Sequence, residues 1–181
     1  MNDRIFLGLA LIGPATDHRG GADSVLEDFS PVEVWQGVPV PASVPLRELE
    51  QHAVARGIRP RPLRAGQAWR SGEARIRVLH PPEPDWERPK VRNDDSVVLE
   101  VAYRDAVVLL TGDVERAAEA VLPLDRVGTL RFVSAPHHGS RTSSTPAFIH
   151  RWLPLVAFVS AGRGNSFGHP SSDVLARYSD R

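Results

Sequence analysis

The chain has 181 residues, 41% hydrophobic and 24% charged, which describes an ordinary soluble globule long enough for one sizeable core. Its 22 basic and 22 acidic residues cancel, so no global electrostatic pull toward nucleic acid or anionic membrane exists, and such binding needs a local patch. Zero cysteines exclude a disulfide framework, a thiolate nucleophile and a Cys-ligated zinc, leaving imidazole and carboxylate as metal ligands.

Taken in order, IFLGLALI is a continuous apolar run ended by Gly13-Pro14, as expected of a strand buried on both faces. It is too short, and too soon followed by Asp17-His18-Arg19, to serve as a signal-peptide core or a membrane span. GGADSVLEDF predicts a helix, VEVW a short strand, and residues 43–57 a second helix that stops at Gly57. The Pro/Arg-rich stretch around RPRPL reads as a connector, its arginines a solvated edge rather than a base-stacking platform. ARIRVLH, SVVLEVAY and AVVLLTG are Val-rich strands, the last two joined at Arg104-Asp105 as an antiparallel hairpin. Residues 81–89, dense in proline, read as a surface loop within one domain. Then come helix DVERAAEAVL, strand LRFVSA, helix TPAFIHRWL, strand VAFVSAG and helix SSDVLARY. The whole is an α/β chain whose halves both alternate strand and helix.

The metal-capable side chains follow the apolar strands: Asp17 and His18 after the first, Asp113 after AVVLLTG, His137 and His138 after LRFVSA, His169 after VAFVSAG. α/β layer folds gather ligands at the carboxyl ends of strands, so residues far apart in sequence converge there. Imidazole and carboxylate together suit zinc or manganese. Each residue also has a plain structural reading. Asp113 is placed to cap the helix that follows it; His169 before Pro170 suits a turn; Asp17 can simply hold the ring of His18. Adjacent histidines after an extended strand are expected to point to opposite sides, so that one of His137 and His138 enters a given site. His52, His80 and His150 read as surface or packing residues.

Three segments in order, NDDSVVLEVAYRDAVVLLTGDVE (93–115), SAPHHGSRTSS (134–144) and SAGRGNSFGHPSSDVL (160–175), resemble the metallo-β-lactamase superfamily. More narrowly they resemble the soluble domain of ComEC-type DNA-internalisation competence proteins. The likeness runs from about residue 70 to the end, and before that rests on DHRGG. It implies a metallo-β-lactamase-like αββα sandwich with its N-terminal strands truncated, formed by residues 1–181 as a single domain.

The superfamily's signature His-x-His-x-Asp-His ends a buried strand, and Asp17 and His18 match its last two places while Gly13 and Ala15 stand at the two leading ones. Asn93-Asp94 occupies the slot where relatives carry a further histidine. The resemblance therefore implies one divalent ion, zinc or manganese, held by Asp17, His18, Asp113 and one of His138 or His169, with no stable second ion. Asp17 would orient the attacking water, made acidic by the metal. Ser140, Arg141 and Asn165, with Thr142, Ser143 and Arg163, are the expected donors to a phosphate.

The implied function is a metal-dependent phosphodiesterase acting on DNA, single-stranded by expectation, during uptake, weakened by the lost metal. The implied partner besides DNA is the membrane-channel portion of the same family protein, on the outer side of the cytoplasmic membrane. The alternative is a non-catalytic relative that binds DNA or the channel through the same face; a lactam or thioester hydrolase is argued against by the HHGS loop.

Overall fold

The computed structural model describes residues 8–11, 20–37, 44–83, 92–125 and 128–180. Among these residues, five α-helices and nine strands run in the order β1 (Gly8–Leu11), α1 (Ala22–Phe29), β2 (Glu33–Gly37), α2 (Val44–Ala55), β3 (Arg59–Leu63), β4 (Ala68–Ser71), β5 (Ala74–His80), β6 (Val98–Tyr103), β7 (Ala106–Leu110), α3 (Arg116–Val121), β8 (Leu130–Ser134), α4 (Pro146–Trp152), β9 (Val156–Phe158), α5 (Ser172–Ser179). One sheet is β1-β2-β3, all parallel; the other is β4-β5-β6-β7-β8-β9, antiparallel through β7 and parallel from β7 to β9.

Period-two alternation along the strands sorts the apolar side chains into three cores. Leu11 and Val34 pack with Ala22, Leu26, Leu49 and Ala53 of α1 and α2. Trp35 and Leu63 of the small sheet meet Ile76, Val78 and Leu99 of the large one. The other face of the large sheet, with Val98, Val107, Leu109 and Val133, receives Ala118 of α3 and Phe148, Ile149 and Trp152 of α4. Helices thus flank two facing sheets, a sandwich-like layering of the kind the resemblance implied.

Two local differences from the sequence reading have clear causes. RPRPL is strand β3 rather than a connector, because as an edge strand it pairs only with β2 and its prolines need not donate on the open side. Ala68–Ser71 forms β4, which the reading missed; Trp69 there packs edge-on against Trp35, with centroids 5.0 Å apart, under the guanidinium of Arg61. The glycine interrupting the first apolar run has a packing reason, since a Cβ on Gly8 would stand 2.5 Å from the Trp35 ring.

Strands β7, β8 and β9 run the same way, so their carboxyl ends share one rim. Antiparallel pairing across β6 gives β5 the same direction, which brings His80 to that rim beside the short 3-10 turn at Asn93–Asp95.

Candidate functional site

Asp113 leaves β7 buried, ahead of the N-cap position of the helix that follows. α3 begins at Arg116, and the preceding Glu115 makes no side-chain cap to it. The Asp113 backbone N–H instead donates to Ser96 Oγ at 3.0 Å, and its carboxylate Oδ1 faces His138 Nε2 at 3.4 Å.

The loop after β8 is a kinked turn in which His137, His138 and Gly139 all take left-handed backbone conformations, with φ of 47°, 53° and 78°. Such conformations cost a non-glycine residue about 1–3 kcal/mol and persist where surroundings hold them. Here His137 N–H donates to Gly112 O at 2.9 Å, and buried Ser143 donates its hydroxyl to Pro136 O at 2.6 Å. This turn alters the expected outcome of the histidine pair. Successive rings diverge only in extended backbone; in this turn the His137 and His138 centroids lie 6.3 Å apart, and His137 is 5.6 Å from His169.

Their second ring nitrogens set their tautomers. His138 Nδ1 donates to Ser160 O at 2.7 Å, which leaves Nε2 to face Asp113. His137 Nδ1 donates to Glu115 Oε1 at 3.0 Å. The same oxygen accepts from Thr142 Oγ1 at 2.8 Å and Asn93 Nδ2 at 3.2 Å, while the Glu115 backbone N–H donates to Asp94 Oδ1. Burial pushes the Glu115 carboxyl upward, but the Thr142, Asn93 and His137 donors outweigh it and hold its pKa below the ordinary glutamate value. Glu115 and Asp94 are the site residues the sequence reading passed over. The signal available was proximity, since Glu115 stands two places after Asp113 in TGDVE. A groove of about 400 Å3 lined by Asp94, Glu115, Arg116 and Thr142 opens beside them.

His169 brings the last imidazole, and its Nδ1 is buried with no hydrogen-bond partner among the described residues. Burial, and then the nearby His137 and His138, lower its pKa against the opposing pull of Asp113. Asn165 holds this loop shut: its Oδ1 accepts from His169 N at 3.0 Å and its Nδ2 donates to His169 O at 2.7 Å.

The structure thus brings together Asp113, His138 and His169, with His137 among them. Asp17 and His18 lie outside the described residues. Among the described residues no group of three His, Asp or Glu side chains is spaced to close around one ion. The donor set nevertheless suits a cation. His138 donates through Nδ1 to Ser160 O and so faces the Asp113 carboxylate through Nε2, a pairing of groups that a proton or a cation between them satisfies. The expected phosphate donors are placed less openly: Ser140 is buried with Oγ 2.9 Å from Thr142 Oγ1, Ser143 is committed to Pro136, and Asn165 closes its own loop. Arg141 is exposed, 3.6 Å from Asp173, and Arg163 is exposed.

No helix among the described residues is long and apolar enough to cross a membrane. No family model matches the chain. It is 32% identical over 174 residues to "Uncharacterized protein YcaI" of Escherichia coli K12, covering 94% of this chain and 20% of that protein. It is 31% identical over 129 residues to "ComE operon protein 3" of Bacillus subtilis, covering 69% of this chain and 16% of that protein. Against "Competence protein ComA" of Neisseria gonorrhoeae the identity is 36% over 87 residues, 47% of this chain and 13% of that protein. The chain spans a fifth or less of the length of these curated relatives. Across most of its length it is therefore homologous to a segment of longer proteins that include a competence protein.

Proposed function

We propose that the chain is a metal-dependent phosphodiesterase domain of a DNA-uptake protein, of the metallo-β-lactamase type, spanning residues 1–181. The observation that carries this reading is the His138–Asp113 contact at the shared end of β7 and β8, with the unpartnered His169 Nδ1 of the neighbouring loop. Asp113, His138 and His169, joined by Asp17 and His18, would hold one zinc or manganese ion. When bound, such an ion supplies positive charge for phosphate oxygens and acidifies a water.

The chain's own residues do the rest. Glu115 fixes the His137 tautomer, the Ser160 carbonyl fixes that of His138, and the Asn165 side chain holds His169 at the rim. Arg141 and Arg163, both exposed, offer cations to a phosphate backbone, while Ser140 and Asn165 brace the loops that carry them. Asp17 is proposed to orient the attacking water. The partners are single-stranded DNA and the membrane-channel portion of the longer protein, on the outer side of the cytoplasmic membrane.

A second reading is favoured by one observation: the described residues contain no group of three ligands spaced for an ion. On that reading the same face binds DNA or the channel without hydrolysis. Elemental analysis of the purified protein, paired with cleavage of an end-labelled single-stranded oligonucleotide in added Mn2+ or Zn2+, separates the two. Bound metal with cleavage that Asp113→Ala abolishes supports the first. DNA binding unchanged by chelator, with neither metal nor cleavage, supports the second.

A further inference from the structure

We propose that Phe167 is a stacking platform for a nucleobase of a single strand entering the site; this rests on the phosphodiester reading above. Phe167 is 81% exposed, the most exposed large hydrophobic side chain among the described residues. One face of its ring lies on the His169 imidazole, nearly parallel at 20° with centroids 5.9 Å apart. His169 in turn stands 5.6 Å from His137. The platform is thus coupled through one ring to the histidine cluster, and its other face is open.

An exposed aromatic ring on a mobile loop would lose much of any stacking gain to ordering. This loop is already ordered by one side chain, since Asn165 bonds both the N–H and the carbonyl of His169 and also donates to Gly162 O at 3.0 Å. The ring's setting also argues for a planar ligand over a protein partner. Residues 161–164 and 166–168 are all exposed, and apart from Phe167 and Ala161 they are Gly, Ser and Arg, so the loop itself adds little apolar surface beside the ring. Exposed Arg163 in the same loop supplies a cation for an adjacent phosphate. A base offers its π-face only when unstacked from its neighbours, which a single strand allows and a duplex resists, so the platform selects single strands over duplex and tolerates any sequence.

The test is equilibrium binding by fluorescence anisotropy in chelator, so that no cleavage intervenes, at fixed low salt. The probes are an oligothymidylate of about 12 nucleotides and an abasic oligonucleotide of the same length. The expected result is that wild type prefers the thymidylate, that Phe167→Ala weakens thymidylate binding about tenfold while leaving abasic binding unchanged, and that Phe167→Trp restores the preference. Wild-type and Phe167→Ala proteins that bind thymidylate equally overturn the platform and leave the phosphodiester reading standing. A wild type that binds neither probe also overturns the platform, while the phosphodiester reading stands or falls on the metal-dependent cleavage described above.

Discussion

His138 Nε2 and Asp113 Oδ1 face each other at 3.4 Å while His138 Nδ1 is engaged by the Ser160 carbonyl. A carboxylate and an unprotonated imidazole nitrogen repel unless positive charge lies between them. An amide in place of the acid cannot neutralise a cation as a carboxylate does, so Asp113→Asn should lose the stabilisation that Mn2+ or Zn2+ gives. At a metal concentration of a hundred times Kd, wild type should gain about 2.7 kcal/mol, read as a rise in Tm. An Asp113→Asn protein whose Tm rises as much as wild type's would show that Asp113 is no ligand.

Glu115 accepts from Thr142, Asn93 and His137 through one oxygen. Removing the acceptor with Glu115→Ala leaves those donors to solvent or to nothing and should cost about 1–3 kcal/mol in urea unfolding. The pH dependence has a defined sign. Because the folded-state pKa lies below the ordinary value, this stability is present above the unfolded pKa and is lost as pH falls through the folded one. Glu115→Gln should flatten that acid limb; an unchanged pH profile would assign the limb to another group.

Most of the layering was legible from hydrophobic periodicity, because apolar strands such as AVVLL and LRFVS and amphipathic stretches such as ADSVLEDF carry their own pattern. β3 and β4 were illegible for an opposite reason: RPRPL carries breaker residues that an edge position tolerates, and AWRS is too short to show a period. At the site, strand ends located Asp113, His138 and His169, but the turn that brings the His137 ring to the same cluster depends on left-handed backbone at residues 137 and 138. That conformation is enforced by Gly112, Pro136 and Ser143, and no local propensity announces it. The convergence of Asn93, Thr142 and His137 on Glu115 is likewise tertiary, spanning 22 and 27 residues of sequence.

Glu100 lies on the central strand β6 with no exposed surface; one oxygen accepts from Arg77 Nη1 at 3.2 Å and the other has no partner. Burial raises its pKa, against the pull of Arg77 and Arg75. A carboxylate whose folded pKa is raised gives its full contribution below the unfolded pKa and loses it as pH rises through the folded one. Wild-type stability should therefore fall across that interval, and Glu100→Gln should remove the fall. Arg77→Ala strips the buried carboxylate of its nearest cation and should cost about 3 kcal/mol above that interval, and less below it, by urea unfolding. Equal losses at both pH values would mean that Arg77 acts through packing of its stem alone.

Gly139 couples the two histidine loops. Its carbonyl accepts from Ser171 N at 3.0 Å, and its φ of 78° belongs to the left-handed region that a side chain disfavours. A Cβ at this position would stand 2.7 Å from Pro170 Cβ and 3.2 Å from Pro170 Cα, atoms of a ring and backbone that cannot swing aside as a flexible side chain would. Gly139→Ala must therefore either force the loop carrying His169 away from the His137–His138 turn or unwind that turn. Either adjustment, added to the left-handed strain, should cost about 1–3 kcal/mol of stability. It should also lower metal affinity, since His138 and His169 are displaced relative to each other while Asp113, on the β7 loop, stays in place. Substitution at Gly164 is the control, because a Cβ there meets nothing within 4 Å although φ is 70°. Gly164→Ala thus carries the backbone strain without the collision and should keep metal affinity. If the two variants lose metal affinity equally, backbone strain rather than the Gly139–Pro170 contact sets the spacing of the histidines.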